Sequence, residues 1–165
     1  LEAWLPVLAP DYLLVIDPGP LAATIPGERL TRILARTNIL SLNARELGLL
    51  AGTTDFAAGA KSLATRLAPG GYVVARAGAQ GCWLVSENLG PLHLPARPAR
   101  VVDTTGAGDA HVAALLARLA AGDGIEMATQ RANVAASLAV EHLGPATGPI
   151  TQELQAALRT GQTSS

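Results

Sequence analysis

The sequence predicts an α/β domain built on a mainly parallel β-sheet. Two kinds of element alternate along the chain. Short apolar runs read as strands at 12–16, 38–42 and 72–75, and stretches with apolar residues at helical spacing follow them. Pro, Gly, Asn and Asp clusters punctuate the two kinds.

Tyr12-Leu13-Leu14-Val15-Ile16 is a continuous apolar run closed by Asp17-Pro18-Gly19-Pro20, the pattern of a strand buried on both faces and followed by a turn. Leu30, Ile33 and Leu34 give a helix through Arg36, and Asn38 to Leu42 is a second strand. Asn43 starts a helix that carries Leu47 and Leu50 on one face and stops at Gly52. Phe56 to Ala68 reads as helix, ended by Pro69-Gly70-Gly71, and Tyr72 to Ala75 as a third strand. Cys82 to Val85 is a fourth, with Leu92-His93-Leu94 as its hairpin partner. Beyond Val102 the chain is almost all helix, from Val112 to near Gly122, from about Gly124 to His142, and from Thr151 to Leu158. Residues 1–159 form one domain in this reading, and the polar residues 160–165 a mobile tail.

The bulk numbers fit that architecture. A chain of 165 residues with 49% apolar and 15% charged side chains can bury a sizeable core without disulfides or metals. Twelve basic and 13 acidic side chains leave no basic footprint for nucleic acid or an anionic membrane, since the arginines are scattered and Lys61 is the sole lysine. Cys82 is the only cysteine, which removes an intrachain disulfide and a cysteine zinc site. No apolar run reaches the ~18 residues of a membrane helix, and the first ten residues lack a basic signal-peptide start, so the expected compartment is cytoplasmic. The chain opens on Leu1 rather than Met, and its natural start is expected to lie upstream.

The chemistry concentrates in Asp103-Thr104-Thr105-Gly106-Ala107-Gly108-Asp109, which leads into the Val112/Leu115/Leu116/Leu119 helix. Small residues at a helix entrance let backbone N–H groups approach a ligand closely, and the helix start favours an anion. A carboxylate at the same point would repel a resting phosphate but can accept a proton from an attacking hydroxyl. A capping Asp after a glycine turn explains the spacing equally well.

Residues 103–109 resemble the second signature of the ribokinase/PfkB family of carbohydrate and nucleoside kinases. The resemblance implies a three-layer α/β/α, Rossmann-like fold, with Asp109 as catalytic base and the amides of Gly106, Ala107 and Gly108 as an anion hole. Asn43-Ala44-Arg45-Glu46 is similar to the family's Asn-x-x-Glu motif, in which Glu46 would hold Mg2+ through water; the same four residues also suit a reciprocal helix cap. Arg76-Ala77-Gly78-Ala79-Gln80-Gly81 resembles the strand–turn segment along the nucleotide phosphates, with Arg76 where the family often has Thr or Lys; a plain hairpin turn is the other reading. Thr104 and Asn133, the latter within Ala132–Ser137 ahead of Gly144-Pro145-Ala146, would lie on the nucleotide side, although the small residues also suit helix packing. Asp103 and Thr105 match a monovalent-cation site, which brings K+ beside ATP and Mg2+ as an implied cofactor.

His111 stands where the family usually has Phe and receives no catalytic role; His93 and His142 lack neighbours for a metal cluster. The match covers only the C-terminal half of the family's fold. The sugar-selecting half, with its lid and Gly-Gly signature, is expected to be missing, and the fragment alone to be poorly active. The implied reaction is ATP-dependent phosphorylation of a hydroxyl on a sugar or sugar derivative, by a full-length protein that could be a homodimer. A nucleoside kinase and a catalytically silent nucleotide- or sugar-binding homologue are the alternatives. A dinucleotide-binding dehydrogenase and a P-loop NTPase are excluded for want of Gly-x-Gly-x-x-Gly and Gly-x-x-x-x-Gly-Lys.

Overall fold

The computed structural model describes residues 5–9, 11–145 and 151–161. The chain divides into two compact units, Leu1–Ala77 with Trp83–His93, and Gly78–Cys82 with Leu94–Ser165.

The first unit is an open sheet with helices. Strands β1 (Val15–Ile16), β2 (Ile39–Asn43), β3 (Tyr72–Arg76), β4 (Cys82–Ser86) and β5 (Leu92–Leu94) lie side by side in sequence order. β1, β2 and β3 are parallel, with Ile16 opposite Leu40 and Asn43 opposite Arg76. The short connections 77–81 and 87–91 cannot make a parallel crossover, so β4 and β5 return as hairpins and the sheet is mixed. Helices α1 (Gly27–Leu34), α2 (Ala44–Ala51) and α3 (Phe56–Ala64) follow the first two strands. Leu40, Leu42, Val73, Ala75 and Val85 project from the sheet into one cluster with Leu34, Leu47, Ala60 and Leu63. The opposite face of β2 and β3 carries Ile39, Ser41 and Val74, all buried, as a parallel sheet requires. Lys61 on α3 donates to the carbonyl of Ser86 at 3.0 Å, so the sole lysine ties α3 to the end of β4.

In the second unit, α4 (Ala107–Ala120) and α5 (Ile125–Ala139) pack together, and α6 (Thr151–Gly161) packs on α5. Ala128, Ala132 and Ala135 are buried on α5, small enough for close approach. Asp123 in the turn between α4 and α5 accepts from Arg118 at 2.6 and 2.8 Å and from Arg131 at 2.6 Å.

Several element boundaries differ from expectation. The first strand keeps only two residues; Tyr12 and Leu13 are 60% and 53% exposed rather than buried on both faces, because β1 pairs with β2 alone at the sheet edge. α3 ends at Ala64, after which Arg66 and Leu67 bond back to Leu63 and Ala64 in tighter i→i−3 turns ahead of Pro69. α5 ends at Ala139, where the Val140 carbonyl is taken by the amides of Val102 at 2.7 Å and Asp103 at 3.2 Å. α6 continues to Gly161, into the expected tail, whose residues 162–165 lie outside the described residues, as does Ala146. No helix among the described residues is long and apolar enough to cross a membrane.

Candidate active site

In the second unit the segment 103–109 is a built turn. The Asp103 carboxylate accepts the Thr105 amide at 2.9 Å and the Thr105 hydroxyl at 2.7 Å on one oxygen, and the Gly144 amide at 3.0 Å on the other. Gly106 caps α4 with φ of +80°, a region that L side chains rarely adopt, and a Cβ there would sit 3.0 Å from Cα of Pro145. Only glycine satisfies both conditions. The Ala107 amide donates to the Thr104 carbonyl at 3.2 Å, whereas among the described residues the amides of Gly106 and Gly108 have no backbone acceptor. Two of the three expected anion-hole donors are therefore open, and the third is spent inside the turn. Asp109 lies in the first turn of α4 and is exposed.

The Thr105 amide and hydroxyl, followed by the Gly144 amide, hold the Asp103 carboxyl below its ordinary value of 3.8. A depressed folded-state pKa contributes stability above the unfolded value and loses it as pH falls through the folded one. Asp103→Asn should therefore be less stable than wild type above about pH 4, with the gap closing on further acidification. Urea denaturation across that range measures it, and a gap constant down to about pH 2 would contradict the assignment.

Two other expected contacts of this unit have structural duties. Gly81, with φ of +89°, faces backbone: a Cβ there would lie 2.6 Å from the Ala96 nitrogen and closer still to the Leu94 carbonyl oxygen. Gly78, in the same turn, has φ of +58° and open space around it. Asn133 is only 4% exposed; its Nδ2 donates to the carbonyls of Leu94 at 2.9 Å and Pro95 at 3.3 Å, and its Oδ1 lies 3.1 Å from Nε2 of buried His111. The geometry gives Asn133 the work of pinning 94–95 and α4 to α5, and explains a histidine at 111: it supplies a polar partner that phenylalanine could not.

In the first unit, Asn43 and Glu46 form the reciprocal cap of α2. The Asn43 side chain accepts the Glu46 amide at 2.9 Å, and Glu46 Oε2 accepts the Asn43 amide at 2.9 Å. Glu46 is nonetheless a buried carboxylate at the carboxyl end of a parallel sheet, where open α/β sheets bind ligands. Arg76 ends β3 and meets it, Nη2 to Oε2 at 3.8 Å, while making a closer ion pair with Asp17 at 2.8 Å. Asp17 was not among the residues singled out by sequence; an acidic residue directly after a buried-type strand was the available signal. Among the described residues no group of three or more His, Cys, Asp and Glu side chains could hold a metal alone.

A protein described as the uncharacterized sugar kinase YegV of Escherichia coli (strain K12) is 35% identical over 159 residues, covering 93% of this chain and 48% of that protein. The chain thus spans about half the length of this curated relative. The Arabidopsis thaliana ribokinase complexed with ribose and ATP superposes with a TM-score of 0.76 at 30% identity, over 89% of this chain and 47% of the other. A Burkholderia thailandensis nucleoside kinase in complex with inosine gives 0.78 at 26% identity, over 90% and 48%. Residues 16–152 match the family described as pfkB family carbohydrate kinase. With that match extending over most of the chain and the turn at 103–109 built as described, the chain belongs to the PfkB family of carbohydrate kinases.

Proposed function

We propose that the protein is an ATP-dependent phosphotransferase that moves a γ-phosphoryl group onto a hydroxyl of a sugar or sugar derivative. The observation that carries this reading is the solvent-facing carboxylate of Asp109 one residue after Gly108, at a helix start that leaves the Gly106 and Gly108 amides open. Asp109 takes the proton of the attacking hydroxyl. The two open amides, at the positive end of the helix dipole, stabilise charge on the transferring phosphoryl group without reorganising at the moment of reaction. The alternative role of Asp109, a helix cap alone, leaves those amides without a purpose.

Asn43 and Glu46 suit Mg2+, which takes oxygen donors and keeps much of its water. The cap and the Arg76 contact both use Glu46 Oε2, so Oε1 remains for a metal-bound water. When bound, Mg2+ supplies charge neutralisation on the phosphates. Arg76 offers a guanidinium to the same anionic groups, and its buried Nε has no acceptor among the described residues. A carboxylate has about four acceptor sites, and three donors already occupy those of Asp103, so it has little left for K+.

A sugar acceptor is favoured over a nucleoside by a relative described as an uncharacterized sugar kinase, aligned over 93% of this chain. The test is release of ADP by the intact enzyme from MgATP across a panel of monosaccharides and nucleosides. Turnover with at least one sugar, and at least about tenfold lower kcat/KM for every nucleoside, is expected. Faster turnover with a nucleoside would replace the sugar assignment. Tight ATP binding with no ADP release from any acceptor would support the silent homologue and overturn the enzyme reading.

A further inference from the structure

Because β1, β2 and β3 are parallel, their carboxyl ends bring Asp17, Asn43 and Arg76 to one edge of the first unit. Asp17 immediately follows β1, and Asn43 and Arg76 are the last residues of their strands and stand in register. The Arg76 side chain is only 13% exposed and lies between two carboxylates that it does not treat alike. Its Nη2 makes a charge-assisted hydrogen bond to Asp17 Oδ2 at 2.8 Å, but stands 3.8 Å from Glu46 Oε2, beyond hydrogen-bond range. Glu46 Oε2 meanwhile remains bonded to the Asn43 amide at 2.9 Å.

The inequality has a consequence for Glu46. A guanidinium without its Asp17 partner would be drawn to the remaining carboxylate, where it would compete with the Asn43 amide for Oε2 and occupy the group as an ion pair. We infer that Asp17 is a positioning residue: by anchoring Arg76 it keeps Glu46 capped by the Asn43 amide, not paired with the guanidinium, and open toward a metal–phosphate ligand. This inference rests on the kinase reading above. A mere tie between β1 and β3 would need the Asp17–Arg76 pair but would be indifferent to what Glu46 experiences.

The test uses the intact enzyme with Asp17→Asn, Arg76→Gln and the double variant. Urea denaturation should show the two substitutions coupled by about tenfold in the unfolding equilibrium constant, within the range for contacting charged groups. Calorimetric titration and kinetics should show Asp17→Asn raising Kd and KM for MgATP about tenfold and shifting the Mg2+ dependence to higher concentration, with kcat changed less. In the Arg76→Gln background the same substitution should add little, because no guanidinium remains to move. If Asp17→Asn costs stability but leaves MgATP affinity and Mg2+ dependence within about twofold, the pair is structural and the inference fails. The inference fails equally if the effect persists undiminished without Arg76. A wild-type enzyme that neither binds nor hydrolyses ATP would remove the kinase reading, and this inference with it; an active wild type with an unaffected Asp17→Asn variant removes the inference alone.

Discussion

Asp109→Asn in the intact enzyme should lower kcat by about 10²–10⁴, the usual scale for losing a general base. Asparagine keeps the size and shape of the side chain and still suits the first turn of a helix, but it cannot take a proton from the acceptor hydroxyl. The expected loss corresponds to roughly 3–5 kcal/mol in the activation barrier. A carboxylate that serves only the helix dipole is worth about 0.3–1 kcal/mol, and that amount would appear in stability instead of turnover. The two roles are therefore separated by both size and observable. ATP affinity should not fall, since Asp109 repels rather than holds the phosphates and asparagine removes that repulsion. Stopped-flow or steady-state ADP release together with calorimetric ATP titration checks both halves, and a variant that turns over within about threefold of wild type would remove the base assignment.

Gly81→Ala is expected to produce the largest loss of stability among the glycines discussed, about 3 kcal/mol. Two costs combine. Its φ of +89° is a conformation that alanine adopts only with strain, and the added Cβ would meet the backbone of Leu94 and Ala96, the latter nitrogen at 2.6 Å. Backbone cannot swing aside as the tip of a long side chain can, so 94–96 must shift, and with it the carbonyls that receive Asn133. Gly78→Ala is the control. It shares the turn and a positive φ of +58°, but no atom lies within 4 Å of its Cβ, so only the backbone cost of about 1 kcal/mol remains. For a chain of this size the two variants should differ by several degrees in Tm. Equal losses would mean that the 94–96 segment yields freely and that packing at Gly81 is unimportant.

Much of the first unit could be read locally. The second and third strands are short apolar runs with turn residues at their ends, and α2 begins at Asn43 and stops at a left-handed Gly52 because capping is a property of neighbouring residues. The turn 103–109 was legible for the same reason: glycine at a helix entrance and an acidic first turn are both encoded within seven residues. Failures fell where the outcome depends on distant partners. Tyr12 to Leu14 are as apolar as a central strand, yet nothing in their composition says that only Val15 and Ile16 will pair with a neighbour. α5 stops early because Val102 and Asp103, 38 and 37 residues before Val140, take its carbonyl.

The sequence by itself determined the order of strands and helices, the cap of α2, and the glycine-led turn that presents Asp109. These depend on φ preference, hydrophobic period and helix-end polarity over a few residues, and so do not wait for the rest of the fold. Tertiary structure alone decided which polar groups meet across long separations. Asp17 and Arg76, 59 residues apart, come together only because β1, β2 and β3 run parallel and end at one edge. Asn133, which the family resemblance set on the nucleotide side, is a buried connector to His111 and the carbonyls of 94–95. An amide buried at that point is stable only when its hydrogen-bonding groups are satisfied, and no local pattern carries that information.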